Sequence, residues 1–488
     1  MNAQRRNPSR SRLSQGVLSR WAFALASASI AITTQAQTTN ATVNLSSLIQ
    51  SIPSGTGYAA WDLCSRALAV GDDFNRVKTQ YTAPKVQPLP WVWTLLHTAD
   101  KVDVSAALLD LRKAMFRPGI GCTLIPPGAS EAVVRAQPFH ADPVLSADVR
   151  PWPLGEAPVK GGSFSPARAS VLQVAAKTMF TETTTDAAKK VNTNALLVAQ
   201  DGKLVFEQYA APFDRDRPQL GWSMTKTLTA LIAGLMERDG KLSLDGPVGL
   251  TGWQGSAKSQ ITWRQLLNMA PGLQWTEGSY GIGQDDTTQM LFSQADQCSW
   301  ATAKPLVTTP GTVFNYSTGF ANMAMCRLKE LAGGTHQQIY DYYQQRLFAP
   351  LGIRGGYIEP DATGSPVGGA RGMLRPVDWL RLGQLVANGG QWQGQTVLNP
   401  NYVHFMMAPS PANDGYGGFM WRRTTTELPQ DLRDQLPDDL VFFAGFQEQH
   451  LVVVPGRGLV VLRMGVAHDS ATAIRQVYQL IVDLLANP

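Results

Sequence analysis

Gly221-Trp222-Ser223-Met224-Thr225-Lys226-Thr227-Leu228-Thr229-Ala230-Leu231-Ile232 runs from a turn straight into an apolar helix. A serine three residues ahead of a lysine at a helix start puts both side chains on one face. A serine hydroxyl is a weak nucleophile near neutral pH and needs a base within hydrogen-bond reach, which a lysine one turn on can supply or tune. The helix N-terminus adds unpaired N–H groups and a positive dipole end, both favourable to an oxyanion. Together these features point to acyl transfer through a covalent ester on Ser223. The four-residue pattern alone also fits a capped surface helix with a solvated lysine, because serine and lysine are common. The rest of the chain decides between the two.

Thr309-Pro310-Gly311-Thr312-Val313-Phe314-Asn315-Tyr316-Ser317-Thr318-Gly319-Phe320 holds a second candidate. Tyr316 follows a Pro-Gly turn and precedes a helix expected from about Gly319. A tyrosine can relay a proton when a lysine stands beside it. It can equally pack at a helix start with its hydroxyl bonded. Around these motifs, residues 170–181 read as a helix. Residues 195–200 and 204–209 read as a hairpin across the Asp201-Gly202 turn. Residues 442–447, 450–454 and 459–464 read as three consecutive strands, and an amphipathic helix from about Thr472 to Leu485 closes the chain. Terminal strands and helices around a helical middle imply an α+β layer with a helical insertion.

The 488 residues are too many for one compact core. Arg5, Arg6, Arg10, Arg12 and Arg20 precede a short apolar run over residues 21–32, and Thr34-Gln35-Ala36 offers a cleavage site. Residues 1–36 therefore read as a signal peptide, with export to the periplasm or medium and no stable membrane insertion after cleavage. An uncleaved anchor is the alternative. Residues 37–60 read as a flexible lead-in, residues 61–77 and 101–116 as helical, and the Pro/Gly-rich residues 117–165 as an ordered loop or linker. Residues 37–164 thus form an N-terminal extension that packs against, or lids, a unit spanning 165–488. The net charge of +5 includes the arginine-rich start, and no basic block is interleaved with aromatics, so nucleic acid is not an expected partner. Four cysteines in an exported chain suggest disulfides. Grouping along the chain favours Cys64 with Cys122 and Cys298 with Cys326, although four buried thiols would also be consistent. Neither cysteines nor histidines show metal-ligand spacing, so no metal and no cofactor are expected.

In order, Ser223-x-x-Lys226, Tyr316-Ser317-Thr318 and a glycine-containing strand at Phe443-Ala444-Gly445-Phe446 resemble the serine β-lactamase-related hydrolases. That group includes class C β-lactamases, D-Ala-D-Ala peptidases, esterases and 6-aminohexanoate-dimer hydrolases. Framing segments such as Asp201-Gly202-Lys203, Thr262-Trp263-Arg264-Gln265-Leu266-Leu267, Gly369-Ala370-Arg371-Gly372 and Tyr416-Gly417-Gly418-Phe419 extend the resemblance over roughly residues 165–488. It implies a β-lactamase/transpeptidase-like fold, an antiparallel sheet flanked by helices with a largely helical subdomain. It also implies catalytic roles for Ser223, Lys226 and Tyr316, with either Lys226 or Tyr316 as the formal base, and an oxyanion hole from the Ser223 and Phe446 amides. Trp222, Ser317 and Gly445 are candidates for the substrate cleft, although Trp222, just before the serine, reads more readily as packing than as substrate stacking.

Two departures matter. The family carries Lys or His two positions before the strand glycine, where this chain has Phe443. Thr318 stands where the β-lactamase pattern has Asn. Loss of the cation weakens recognition of a carboxylate, which points to the esterase and aminohexanoate-oligomer branch. Arg371 or Arg375 could instead supply that charge from another loop. The expected substrate is a small ester or amide. β-Lactamase or peptidase activity, acyl transfer to another acceptor, and a silent binding role are the alternatives. Glu448 reads as solvated and Gln449 as a backbone-bonding residue, with the cleft wall as the alternative for either, and His450 and His468 read as structural.

Overall fold

The computed structural model describes residues 45–487, apart from 107–109, 145, 147, 158–163 and 279. The expected signal peptide lies outside the described residues. The six-stranded antiparallel sheet has the order Trp421–Arg422, Val441–Gly445, Gln449–Val454, Leu459–Gly465, Thr193–Gln200, Lys203–Tyr209. Strands that lie early and late in residues 165–488 thus meet in mid-sheet, with Leu462 opposite Leu197. The strand residues alternate between two faces, as a period of two requires. Leu197, Phe443, Leu451, Val453 and Leu462 join the core that holds the helix Met224–Arg238. Leu196, Val198, Phe442, Val452 and Val461 pack under the helices Pro166–Met179 and Ser470–Ala486. The hairpin, the three late strands and both flanking helices fall where the sequence places them.

On the inner side, helices Met224–Arg238, Thr318–Ala332 and Pro376–Ala387 form the helical layer. Met224–Arg238 is buried on nearly every side. Hydroxyls therefore bond across to neighbouring backbone: Thr227 Oγ1 to Phe419 O at 2.6 Å and Thr229 Oγ1 to Gly368 O at 2.7 Å. This fixes the helix that carries the serine.

The N-terminal segment differs most from expectation. A helix spans Leu45–Leu63 and continues as a wider turn over Cys64–Ala69, so much of the supposed lead-in is regular structure. Tyr58 and Trp61 of this helix are fully buried. Residues 101–116, read as helical, are strands Lys101–Ala106 and Asp110–Arg117 of a four-stranded antiparallel sheet. Val102, Val104 and Ala106 are buried alternately, which is a strand pattern. Residues 117–165 contain a strand, Gly121–Ile125, and a short helix, Glu131–Arg135, among irregular backbone. Both disulfides pair as the sequence grouping favours, Cys64 with Cys122 and Cys298 with Cys326. The first ties the Leu45–Leu63 helix to its sheet.

Candidate active site

Ser223 immediately precedes the Met224–Arg238 helix, and its backbone is already helical at φ −66° and ψ −10°. In that conformation its hydroxyl does not cap the helix and is free to face a cleft. Trp222 before it sits at φ +48°, an uncommon region for a bulky side chain. Packing holds it there. The ring lies 5.2 Å from Trp61, 5.1 Å from Tyr280 and 5.2 Å from Phe446. Trp222 is fully buried in this cluster, so it packs behind the Gly221–Ser223 turn and the cleft reading is set aside.

Lys226 lies one turn on, and its Nζ donates to Ser223 Oγ at 2.7 Å. Two further bonds, to Thr318 Oγ1 at 2.8 Å and Gly369 O at 3.0 Å, complete its donor set. Burial pulls the lysine down from its ordinary value to about 8, against the charge of Glu277, which favours the ammonium. The Lys226 ammonium lies 4.8 Å from the Tyr316 ring centroid. Tyr316 itself stacks on Trp421 at 5.1 Å. Burial pushes its phenol well above the ordinary range, helped by Tyr416, Tyr280 and Glu277, while a hydrogen bond to Ser223 pulls the other way. The structure thus brings together the three residues singled out from the sequence.

It adds two that the sequence did not mark, Tyr280 and Glu277, and places Thr318 between them and Lys226. Tyr280 places its hydroxyl 3.4 Å from Ser223 Oγ and 3.2 Å from Thr318 Oγ1. Thr318 donates to Glu277 Oε1 at 2.5 Å. Glu277 and Tyr280 come from an irregular loop without a motif, so only the fold reveals them. Thr318 was visible merely as a departure from the family pattern. Ser317, a candidate for the cleft, instead caps the Thr318–Ala332 helix and accepts from Phe320 N at 3.1 Å. It is fully buried, and the cleft assignment is corrected accordingly.

Gly445 ends the Val441–Gly445 strand against the nucleophile turn. A Cβ on Gly445 would lie 2.2 Å from Gly221 O, so only glycine permits this approach. Phe446 follows directly, and Ser223, Gly445, Phe446, Tyr280, Glu277 and Tyr316 border one cavity of about 410 Å³. Neither arginine supplies the missing cation to it. Arg371 is fully buried over Trp61 and donates to Leu291 O, and Arg375 pairs with Asp378 and Glu156. Among the described residues, the cavity wall carries Glu277, Glu427 and Glu448 and no Lys or Arg, while Lys85 Nζ lies 4.8 Å from the ring centroid of Phe446.

Glu448, read as solvated, is bonded to His450 Nε2 at 2.7 Å, and both border the same cavity. Gln449 bonds backbone, donating to Gly465 O at 2.6 Å. His468 Nε2 meets Gln80 O at 2.7 Å. The Cys298–Cys326 disulfide closes a loop that contains Tyr316. Among the described residues, no group of three or more His, Cys, Asp or Glu side chains is placed to hold a metal ion.

Known structures share this arrangement of sheet and helices. A Caulobacter crescentus penicillin-binding protein homologue matches with a TM-score of 0.52 at 16% identity, over 67% of this chain and 99% of its own. A Bacillus anthracis protein assigned as a 6-aminohexanoate-dimer hydrolase matches at 0.51 and 17%, over 60% and 80%. A Bacteroides dorei protein assigned as a beta-lactamase matches at 0.51 and 18%, over 65% and 97%. At such identities these likenesses speak for the fold. The Beta-lactamase family model matches residues 181–465, a span that includes Ser223, Lys226, Tyr316 and the Gly445 strand. The chain belongs to the beta-lactamase family.

Proposed function

We propose that this protein is a serine hydrolase that cleaves ester or amide bonds of small substrates through an acyl-enzyme on Ser223. The observation that carries the reading is the 2.7 Å contact of Ser223 Oγ with a fully buried lysine drawn down to about 8, at the wall of an open cavity. Lys226 in its neutral form takes the Ser223 proton as the oxygen attacks the carbonyl carbon. The Ser223 and Phe446 amides hold the resulting oxyanion. Tyr316, its hydroxyl bonded to Ser223, stays protonated and hydrogen-bonds the leaving group, which takes back the proton that Lys226 accepted. Water then enters, gives up a proton along the same path and releases the acid.

The family resemblance leaves several substrates open, and the cavity wall narrows them. A wall with three carboxylates and no Lys or Arg disfavours a substrate carboxylate, which β-lactams and D-Ala-terminated peptides both carry. The reading therefore favours neutral short-chain esters and linear amides. Residues 1–36 and the two disulfides support an exported enzyme in an oxidising compartment. No helix among the described residues is long and apolar enough to cross a membrane.

Turnover of p-nitrophenyl acetate and butyrate, a linear aminohexanoate dimer and a cephalosporin tests the reading. Release from the esters or the dimer, well above the cephalosporin, is expected. Efficient cephalosporin turnover would overturn the substrate class. Ester hydrolysis that survives Ser223→Ala would overturn the mechanism.

A further inference from the structure

Protonated Lys226 has three N–H donors, and each is engaged, by Ser223, Thr318 and Gly369 O. Ser223 is the nucleophile, and a carbonyl has no proton to hand on. Thr318 is the remaining outlet, and it leads further. Its hydroxyl donates to Glu277 Oε1 at 2.5 Å, and its backbone N donates to Oε2 at 2.8 Å. The same carboxylate accepts from Trp275 Nε1 at 2.9 Å and from the Thr287 hydroxyl. Four donors therefore fix a carboxylate that also borders the cavity.

We propose that Glu277, acting through the Thr318 hydroxyl, is a positioning residue that orients the Lys226 amine and sets how readily it gives up a proton. The proposal rests on Ser223 and Lys226 as nucleophile and base. One Lys226 N–H bond breaks as an O–H bond forms on Thr318. The original Thr318 proton passes to Glu277, leaving a neutral amine and a carboxylic acid. Rotation about Cε–Nζ then turns the free electron pair toward Ser223. A hydroxyl accepts and donates through one atom, so threonine completes this path. The asparagine of the β-lactamase pattern accepts and donates through different atoms and does not.

The groups facing Lys226 are Glu277 and the phenols of Tyr280 and Tyr316; burial raises both phenols, so they stay uncharged. Asp285 acts on Tyr280. Glu277 favours the ammonium form, so removing its charge lowers the pH at which Lys226 titrates. That sign holds whether the lysine governs the rising or the falling limb of a profile.

The test follows the rate of Ser223 labelling by a fluorophosphonate from about pH 6 to 10, beside kcat/KM for p-nitrophenyl butyrate. Glu277→Gln should move the inflection down by about one pH unit. Thr318→Val should do the same, the double variant should move it no further, and Thr318→Ser should restore the wild-type inflection. Slower rates with an unmoved inflection in Glu277→Gln and Thr318→Val would leave the carboxylate a merely structural group and overturn the proposal. Shifts that add in the double variant would also overturn it. Should Glu277→Gln fail to fold, Thr318→Val against Thr318→Ser makes the same comparison. Wild-type protein that takes no label at Ser223 overturns the nucleophile assignment and the relay with it, whereas a labelled Ser223 with an unmoved inflection overturns the relay alone.

Discussion

Ser223, Lys226 and Tyr316 divide the chemistry by environment. The lysine is drawn down toward neutrality, whereas the phenol is driven up and stays protonated. In the proposed mechanism a neutral Lys226 is the base, so activity should rise with pH through an inflection near 8. A kcat/KM profile on a p-nitrophenyl ester reads this directly, and a profile flat from about pH 6 to 9 would contradict it. Lys226→Ala should cost at least ~10³-fold in kcat with little change in the folded state, because it removes the base and leaves the fold's apolar core intact. Ser223, Lys226 and Tyr316 were legible because each sits in a short local pattern beside a turn or helix start. Glu277 and Tyr280 were not, because their roles exist only where an irregular loop meets two helices. Ser317 was misplaced for the opposite reason, whereas the packing reading of Trp222 agrees with its full burial. Adjacency to a catalytic residue in sequence says nothing about which way a neighbouring side chain points.

At the scale of elements, the site depends on close backbone approach. The Val441–Gly445 strand reaches the nucleophile turn only because residue 445 lacks a Cβ, which would sit 2.2 Å from Gly221 O. Gly445→Val should therefore displace the strand end and reduce kcat by about 10²-fold or more, while the far-ultraviolet circular dichroism stays native. Near-wild-type turnover in that variant would show that the strand end does not serve the reaction. Cys298–Cys326 closes a 28-residue separation around Tyr316. The chain-entropy model gives such a loop about 3–4 kcal/mol. Cys298→Ser with Cys326→Ser should lower the unfolding free energy by an amount of that order, measured by denaturant titration. The late strands and closing helix were readable because their periods of 2 and 3.6 are clean. Residues 101–116 read as a helix because the apolar residues from Val104 to Leu111 fall at helical spacing in sequence, whereas Val102, Val104 and Ala106 are buried alternately, as in a strand.

For the whole molecule, the N-terminal segment and the catalytic region share one hydrophobic core. Tyr58 and Trp61 pack with Trp222 and Phe292, and Glu359 accepts bonds from Trp61 Nε1, Ser65 Oγ and Cys122 N. This joint was illegible in sequence, since Glu359 stands alone and its partners lie far upstream. Burial pushes Glu359 up from its ordinary value of 4.5 to about 7, although the Cys122 N–H and Arg371 pull the other way. A raised carboxyl binds its proton more tightly in the folded state than in the unfolded one. Its contribution to stability is therefore present below about pH 4.5 and is lost as pH rises to about 7. Denaturant titrations at several pH values should show this slope in the wild type and lose it in Glu359→Gln. An identical slope in both would assign it elsewhere. Trp61→Ala should cost about 3–5 kcal/mol by leaving a cavity behind the nucleophile turn. The account as a whole stands on a covalent ester at Ser223, and intact-protein mass spectrometry with peptide mapping after fluorophosphonate treatment tests that most directly. One adduct per chain, mapped to Ser223 and absent from Ser223→Ala, is the predicted result. A native protein that takes no adduct, or takes it at another residue, would contradict the account.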